Sequence, residues 1–268
     1  MKSIKAKTTF VFLSLMLLSN IISAQSLKEA SPAEKKILKK PVSVIQSLLD
    51  QFGNNNWGES DTDTRDYDLL VPINYNGIGP IPLNEDFERI YIVQENSERF
   101  NTLLKPMNLK LQALYSKFGK ESQDVQSKSL KEQEDFSKKP NPTLDSITAI
   151  GNKMEKLNEV DVYAYINDDY IDGNPINDPG INVRGADMVT KQNRGYYQKD
   201  YWTTYYMAFG NWKGIKKDKE FKCYYYKFKK TKTSSIQNIV IVLTGAPDRM
   251  KELMNKIDWS VLNNALTD

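Results

Sequence analysis

The chain of 268 residues has no histidine and one cysteine, Cys223. Without imidazole there is no Ser-His-Asp or Cys-His machinery, no histidine zinc site and no side chain that titrates near neutrality by default. A lone cysteine forms no intramolecular disulfide, so stability has to come from a packed core. The sequence also lacks an Asn-x-Ser/Thr sequon, which favours a bacterial over a eukaryotic secretory route. G-x-S-x-G, S-x-x-K and G-x-x-x-x-G-K are missing as well, which removes the familiar serine-nucleophile and phosphate-cradling signatures. Beyond the N-terminus no apolar run is long enough to span a bilayer, which takes about 20 residues.

What is present begins with a targeting pattern. Lys2, Lys5 and Lys7 precede the apolar run "FVFLSLMLLSNII", and Ser23-Ala24 offers a small-residue exit. Residues 1–24 therefore read as a secretory signal peptide, and the expected location is secreted or periplasmic. The whole chain carries 37 Lys+Arg against 34 Asp+Glu, but three of the lysines belong to that segment. The remainder is balanced, so the basic pI is no argument for nucleic acid, and none is expected as a partner.

Periodicity places helices first and strands last. Ser31, Pro32 and Glu34 form an N-terminal capping box ahead of an apolar stripe from Ile37 to Phe52, with a kink expected at Pro41. "GNNNWGESDTDTRDYD" reads as a polar acidic loop, and "YDLLVPI" and "FERIYIVQ" as strands. A long helical stripe runs from Phe100 to Phe118, with a break or kink expected at Pro106. Residues 120–141 form a polar connector, either an exposed helix or a mobile segment. Asn141 and Pro142 start another helix, and Val160 to Ile166 alternates as a half-buried strand. "TTYYMAFGNW", "FKCYYYKFKK" and "IQNIVIVLTG" are three strands at hairpin spacing, the third apolar on both sides and so central. A final helix follows Pro247. The expected fold class is α+β: residues 25–268 make a single domain, helix-rich over 25–158 and β-rich over 159–268. Its antiparallel sheet comes mainly from the C-terminal half. It packs against helices of the N-terminal half and the C-terminal helix.

Charge is segregated although it sums to zero. Residues 155–188 hold eight acids and two bases, while residues 190–232 hold twelve bases and three acids. Thirteen of the 29 aromatics fall between Tyr196 and Phe228. Tyr201, Trp202, Tyr206, Trp212, Tyr225, Lys227 and Lys229 are the candidate ligand-binding residues, because aromatic faces beside lysines suit sugars, peptides and anionic polymers. Against this stands ordinary sheet filling by strand-forming aromatics.

"INDDYIDGNPINDPG", residues 166–180, offers Asp168, Asp169, Asp172 and Asp178 as calcium ligands. An EF-hand frame anchored on Gly173 puts Tyr170 and Pro179 at ligand positions, so that pattern fails. A turn-rich acidic loop facing the lysines is the preferred reading, with a cation site as the alternative. Gly245, between the last strand and the last helix, could admit an anion, but a structural turn is preferred. The functional expectation is an exported, non-enzymatic binding protein. Its partner would be a glycan, a cell-wall polymer or an envelope protein. The alternative is a small secreted glycoside-type hydrolase using paired carboxylates, with calcium support.

Overall fold

The computed structural model describes residues 27–29, 31–52, 57–63, 70–72, 85–192, 203–229 and 235–267. The targeting pattern of residues 1–24 lies outside them, as do Tyr201 and Trp202.

The fold is mixed helix and sheet. Seven antiparallel strands make the main sheet: β2 (Trp57–Asp63), β4 (Glu85–Val93), β5 (Glu159–Ile166), β11 (Ile239–Gly245), β9 (Thr203–Phe209), β8 (Met188–Gln192) and β7 (Asn174–Pro175), in that spatial order. Two small ribbons stand apart: β1 (Leu27–Glu29) with β3 (Leu70–Pro72), and β6 (Tyr170–Ile171) with β10 (Tyr224–Tyr225). The unbroken apolar run of β11 is explained by its place. It pairs along its whole length with β5 on one side and β9 on the other, and all seven residues are buried.

Alternation along these strands builds two cores. On one face Val160, Val162, Ile166, Ile239, Ile241, Leu243, Met207 and Phe209 meet helix α1 (Pro32–Phe52), helix α5 (Pro247–Lys256) and the 3-10 turn Trp259–Ala265. Each such aliphatic side chain contributes roughly 1.5–3 kcal/mol by leaving water. On the other face Tyr163, Tyr206, Ala208, Val240 and Val242 are covered by Trp212, Tyr224 and Ile171. Among the described residues no helix does this work there; Trp212 and Tyr224 come from the connection between β9 and β11, and Ile171 from β6.

The cap signals behave as their chemistry dictates. Ser31 N donates to Glu34 Oε2 (2.7 Å) while Ser31 Oγ accepts from Glu34 N (3.3 Å). Asn141 Oδ1 accepts from Thr143 N and Leu144 N at the start of helix α4 (Pro142–Asn158). Pro41 lies inside α1, buried, and the helix runs through it. Before Pro106 the helix changes turn type without breaking: a π-turn, Phe100–Leu104, runs directly into helix α2 (Lys105–Gln126), whose first turn takes the proline. The polar connector is helical, α2 continuing to Gln126 and α3 spanning Leu130–Lys138.

Two sequence expectations are corrected. "WGESDTD" is not loop but the edge strand β2, bulged between Glu59 and Asp61. A charged, bulged strand has weak alternation and is suited to an edge, where it discourages further pairing. "FKCYYYKFKK" is not a strand of the main sheet. Among its described residues only Tyr224 and Tyr225 pair, and with β6. A tight turn held by Asp218, with Lys222 at a positive φ of 62°, redirects the chain across the sheet instead.

Candidate binding groove

The covering segment carries the basic residues. After β9 the chain turns at Gly210 and Asn211, both at positive φ. Trp212 then enters the second core with no exposed surface (0%), and its ring lies 4.9 Å from that of Tyr226. Tyr226 is fixed in turn: its backbone N donates to Asp169 O (2.8 Å) and its hydroxyl to Gln237 O (2.9 Å). Gln237 also brackets Lys229, accepting from its N–H at 2.7 Å and donating to its carbonyl at 3.1 Å. Above this floor lies an open groove of about 1090 Å³. Lys213, Lys216, Lys217, Lys219, Lys227 and Lys229 line it, with Tyr225, Tyr226 and the acids Asp218 and Glu220.

Asp218 is occupied with structure: its Oδ1 accepts from Glu220 N and Phe221 N, both at 2.8 Å. Lys213 reaches Asp187 at 3.5 Å across an exposed rim, a contact of about 0–1 kcal/mol. Among the described residues no carboxylate lies within ion-pairing distance of Lys216, Lys219 or Lys227. The hydroxyl of Tyr225 is pushed up to about 12, first by its hydrogen bond with Cys223 and then by burial, so it stays neutral at ordinary pH.

Of the sequence candidates, Tyr225, Lys227 and Lys229 come together in this groove. Tyr206 and Trp212 do not join them on the surface. Both are buried beneath it, because alternation along β9 turns Tyr206 to the second core and the covering loop needs Trp212 to fill it. Lys213 was read from the sequence beside Lys227 and Lys229; Lys216, Lys217 and Lys219 were not singled out, though the run of basic residues around Ile215 was visible there.

The acidic loop forms the groove's neighbour. Asn167, at φ 59° and buried, accepts through Oδ1 from Gln237 N (2.7 Å) and donates through Nδ2 to Ser235 O (2.9 Å). Asn238 Nδ2 donates to Asp168 O (2.9 Å). These contacts pin the loop to the start of β11. We expect Asn167→Ala to cost about 1–3 kcal/mol for each buried partner left unsatisfied, as a lowered urea midpoint with unchanged slope.

Lys217 crosses to the loop, donating to Gly173 O and to Asn174 Oδ1 (2.9 Å). Asp178 is bound by Lys251 of α5 at 2.9 Å, which holds its carboxyl below the usual range. The backbone carbonyls of Asp168, Asp169 and Asp172 all accept hydrogen bonds from within the chain. Among the described residues no group of three acidic or thiol side chains is placed to hold a metal ion.

Burial pushes the Asp172 carboxyl up, opposed by the nearby Lys217. A folded-state pKa above the unfolded value gives a stabilising contribution that is complete below the unfolded pKa and is lost as pH rises through the folded one. At neutral pH the charged, half-buried carboxylate is therefore a net burden. Asp172→Asn is expected to raise the thermal midpoint at pH 7 and to raise it less at pH 4, followed by circular dichroism.

Gly245 serves the turn. Its φ is +132°, and a Cβ there would sit 2.1 Å from the carbonyl oxygen of Glu159, which also accepts from Ala246 N. No described helix is long and apolar enough to cross a membrane. Compared with known proteins, the chain matches no family model, no curated protein and no solved structure.

Proposed function

We propose that this is an exported, non-enzymatic binding protein that holds an extended anionic partner along the lysine groove. The observation that carries the reading is the convergence of six lysines on one open groove with only two acids, one of them committed to a turn. Opposite charge accumulates at such a surface and raises the encounter rate. The groove's shape suits a linear polymer, with a glycan or another cell-wall polymer preferred over a globular envelope protein. Export rests on the basic–apolar–small pattern of residues 1–24. A hydrolase reading has less behind it, since the groove's two carboxylates adjoin one turn, Asp218 caps that turn, and Tyr225 does not titrate in the working range.

Titration calorimetry with a soluble polyanion at low salt tests this. The triple variant Lys213→Gln, Lys216→Gln, Lys227→Gln should bind about 3- to 150-fold more weakly, from about 0.2–1 kcal/mol per exposed charge pair. Unchanged affinity in the triple variant would remove the groove as the binding surface.

A further inference from the structure

Beside the groove lies a feature its charge does not explain. Three large aromatic side chains are exposed together: Tyr170 (45%), Tyr225 (42%) and Phe221 (63%). The Tyr170 and Tyr225 rings are 6.2 Å apart and tilted at 48°. Phe221 stands 6.1 Å from Tyr225 and almost perpendicular to it, at 85°. They form a corner, not a parallel stack, so exposed ring surface is left for a guest. Only Tyr225 lines the groove itself, which makes it the junction between corner and lysines.

The corner is built to hold its shape. Pairing of β6 with β10 sets Tyr225 opposite Tyr170. The Asp218 carboxylate fixes the turn that presents Phe221, and Lys222 N donates to Asp218 O (3.1 Å) to close it. Rings held in place before binding lose little freedom on binding.

We propose that the ligand of the groove is an acidic polysaccharide, with a sugar ring seated in the Tyr170–Tyr225–Phe221 corner and its carboxylates on the neighbouring lysines. This deepens the groove reading and rests on it. A pyranose has an apolar C–H face that meets the electron-rich face of an aromatic ring. Its acidic substituents then require cations within one residue's reach, which Lys227 and the other groove lysines supply. An inorganic polyanion has no such face and would leave the corner unused. A bilayer is flat, whereas the lysines line a concavity and Glu220 sits next to Phe221 at the tip, where it would oppose an anionic surface.

The test compares polygalacturonate, inorganic polyphosphate, poly-glutamate, uncharged dextran and phosphatidylglycerol vesicles on the intact exported chain. Phe221→Ala and Tyr225→Ala should each weaken polygalacturonate binding by about 2- to 10-fold, while polyphosphate binding stays the same in Phe221→Ala, whose ring does not line the groove. Tyr225→Phe, which keeps the ring, should retain polygalacturonate binding. Phe221 lies on an exposed turn, so its variant reports on binding even if Tyr225→Ala disturbs the ribbon. Equal losses for polygalacturonate and polyphosphate in Phe221→Ala would overturn the corner's role and leave the groove standing. Tighter binding of poly-glutamate or vesicles than of polygalacturonate would also overturn it, in favour of a peptide or a membrane. No binding of any polyanion would overturn both the corner and the groove.

Discussion

Trp212→Ala is expected to lower the unfolding free energy by about 3–5 kcal/mol, the range for truncating a fully buried large aromatic. Trp212 has no exposed surface, and with Tyr224 it seals the sheet face formed by Tyr206, Ala208, Val240 and Val242. Because the cover is a loop, the cavity would not be refilled by a sliding helix. Tyr226 would lose the ring against its own, and the groove floor would loosen with it. Polyanion binding should therefore fall together with stability. Trp212→Phe should lose much less, partly because no acceptor among the described residues reaches the indole N–H. Denaturant unfolding of the two variants separates these outcomes. Equal stability of Trp212→Ala and the parent would show that the face is not sealed as described.

Gly245→Ala should be comparably damaging for a different reason. The backbone at φ +132° is closed to most side chains, at a cost of about 1–3 kcal/mol. The added Cβ would also collide with the Glu159 carbonyl, a backbone atom at the junction of β5, β11 and α5, adding about 1–3 kcal/mol. A combined loss of about 2–6 kcal/mol is expected from the two causes. Thermal unfolding checks it, and a small or zero shift would mean that the strand ends are not packed this closely. Gly119, by contrast, has open space where a Cβ would stand, so Gly119→Ala should be harmless or mildly stabilising in its helix.

Local rules were legible in the sequence wherever the cause was local. The Ser31–Glu34 box, the Asn141 cap and the two-sided apolar run Ile239–Leu243 each follow from chemistry within a few residues. So does the alternation of Tyr224, Lys227 and Lys229, whose inward and outward directions hold. Lateral pairing was not legible, because it depends on distant partners. The segment after Phe221 has a strand's alternation, yet its neighbour is Tyr170–Ile171 and not the main sheet. A second error touched the site: Trp212, read as the end of the preceding strand, was expected on the surface, whereas in the loop laid across the sheet it is fully buried. Asn167 was missed for a similar reason. Its value lies in contacts with Ser235 and Gln237, about 70 residues away along the chain, and the only local hint was an asparagine ahead of paired aspartates, tolerant of left-handed backbone.

The central claim is that an anionic polymer lies in the groove of residues 211–229. Lysine acylation footprinting tests it most directly, comparing reagent uptake with and without saturating polygalacturonate by mass spectrometry. Lys213, Lys216, Lys219 and Lys227 should be protected, while Lys131 and Lys138 on α3, exposed and remote in sequence from the groove, should label as before. Protection centred on α3, or spread evenly over all lysines, would contradict the account.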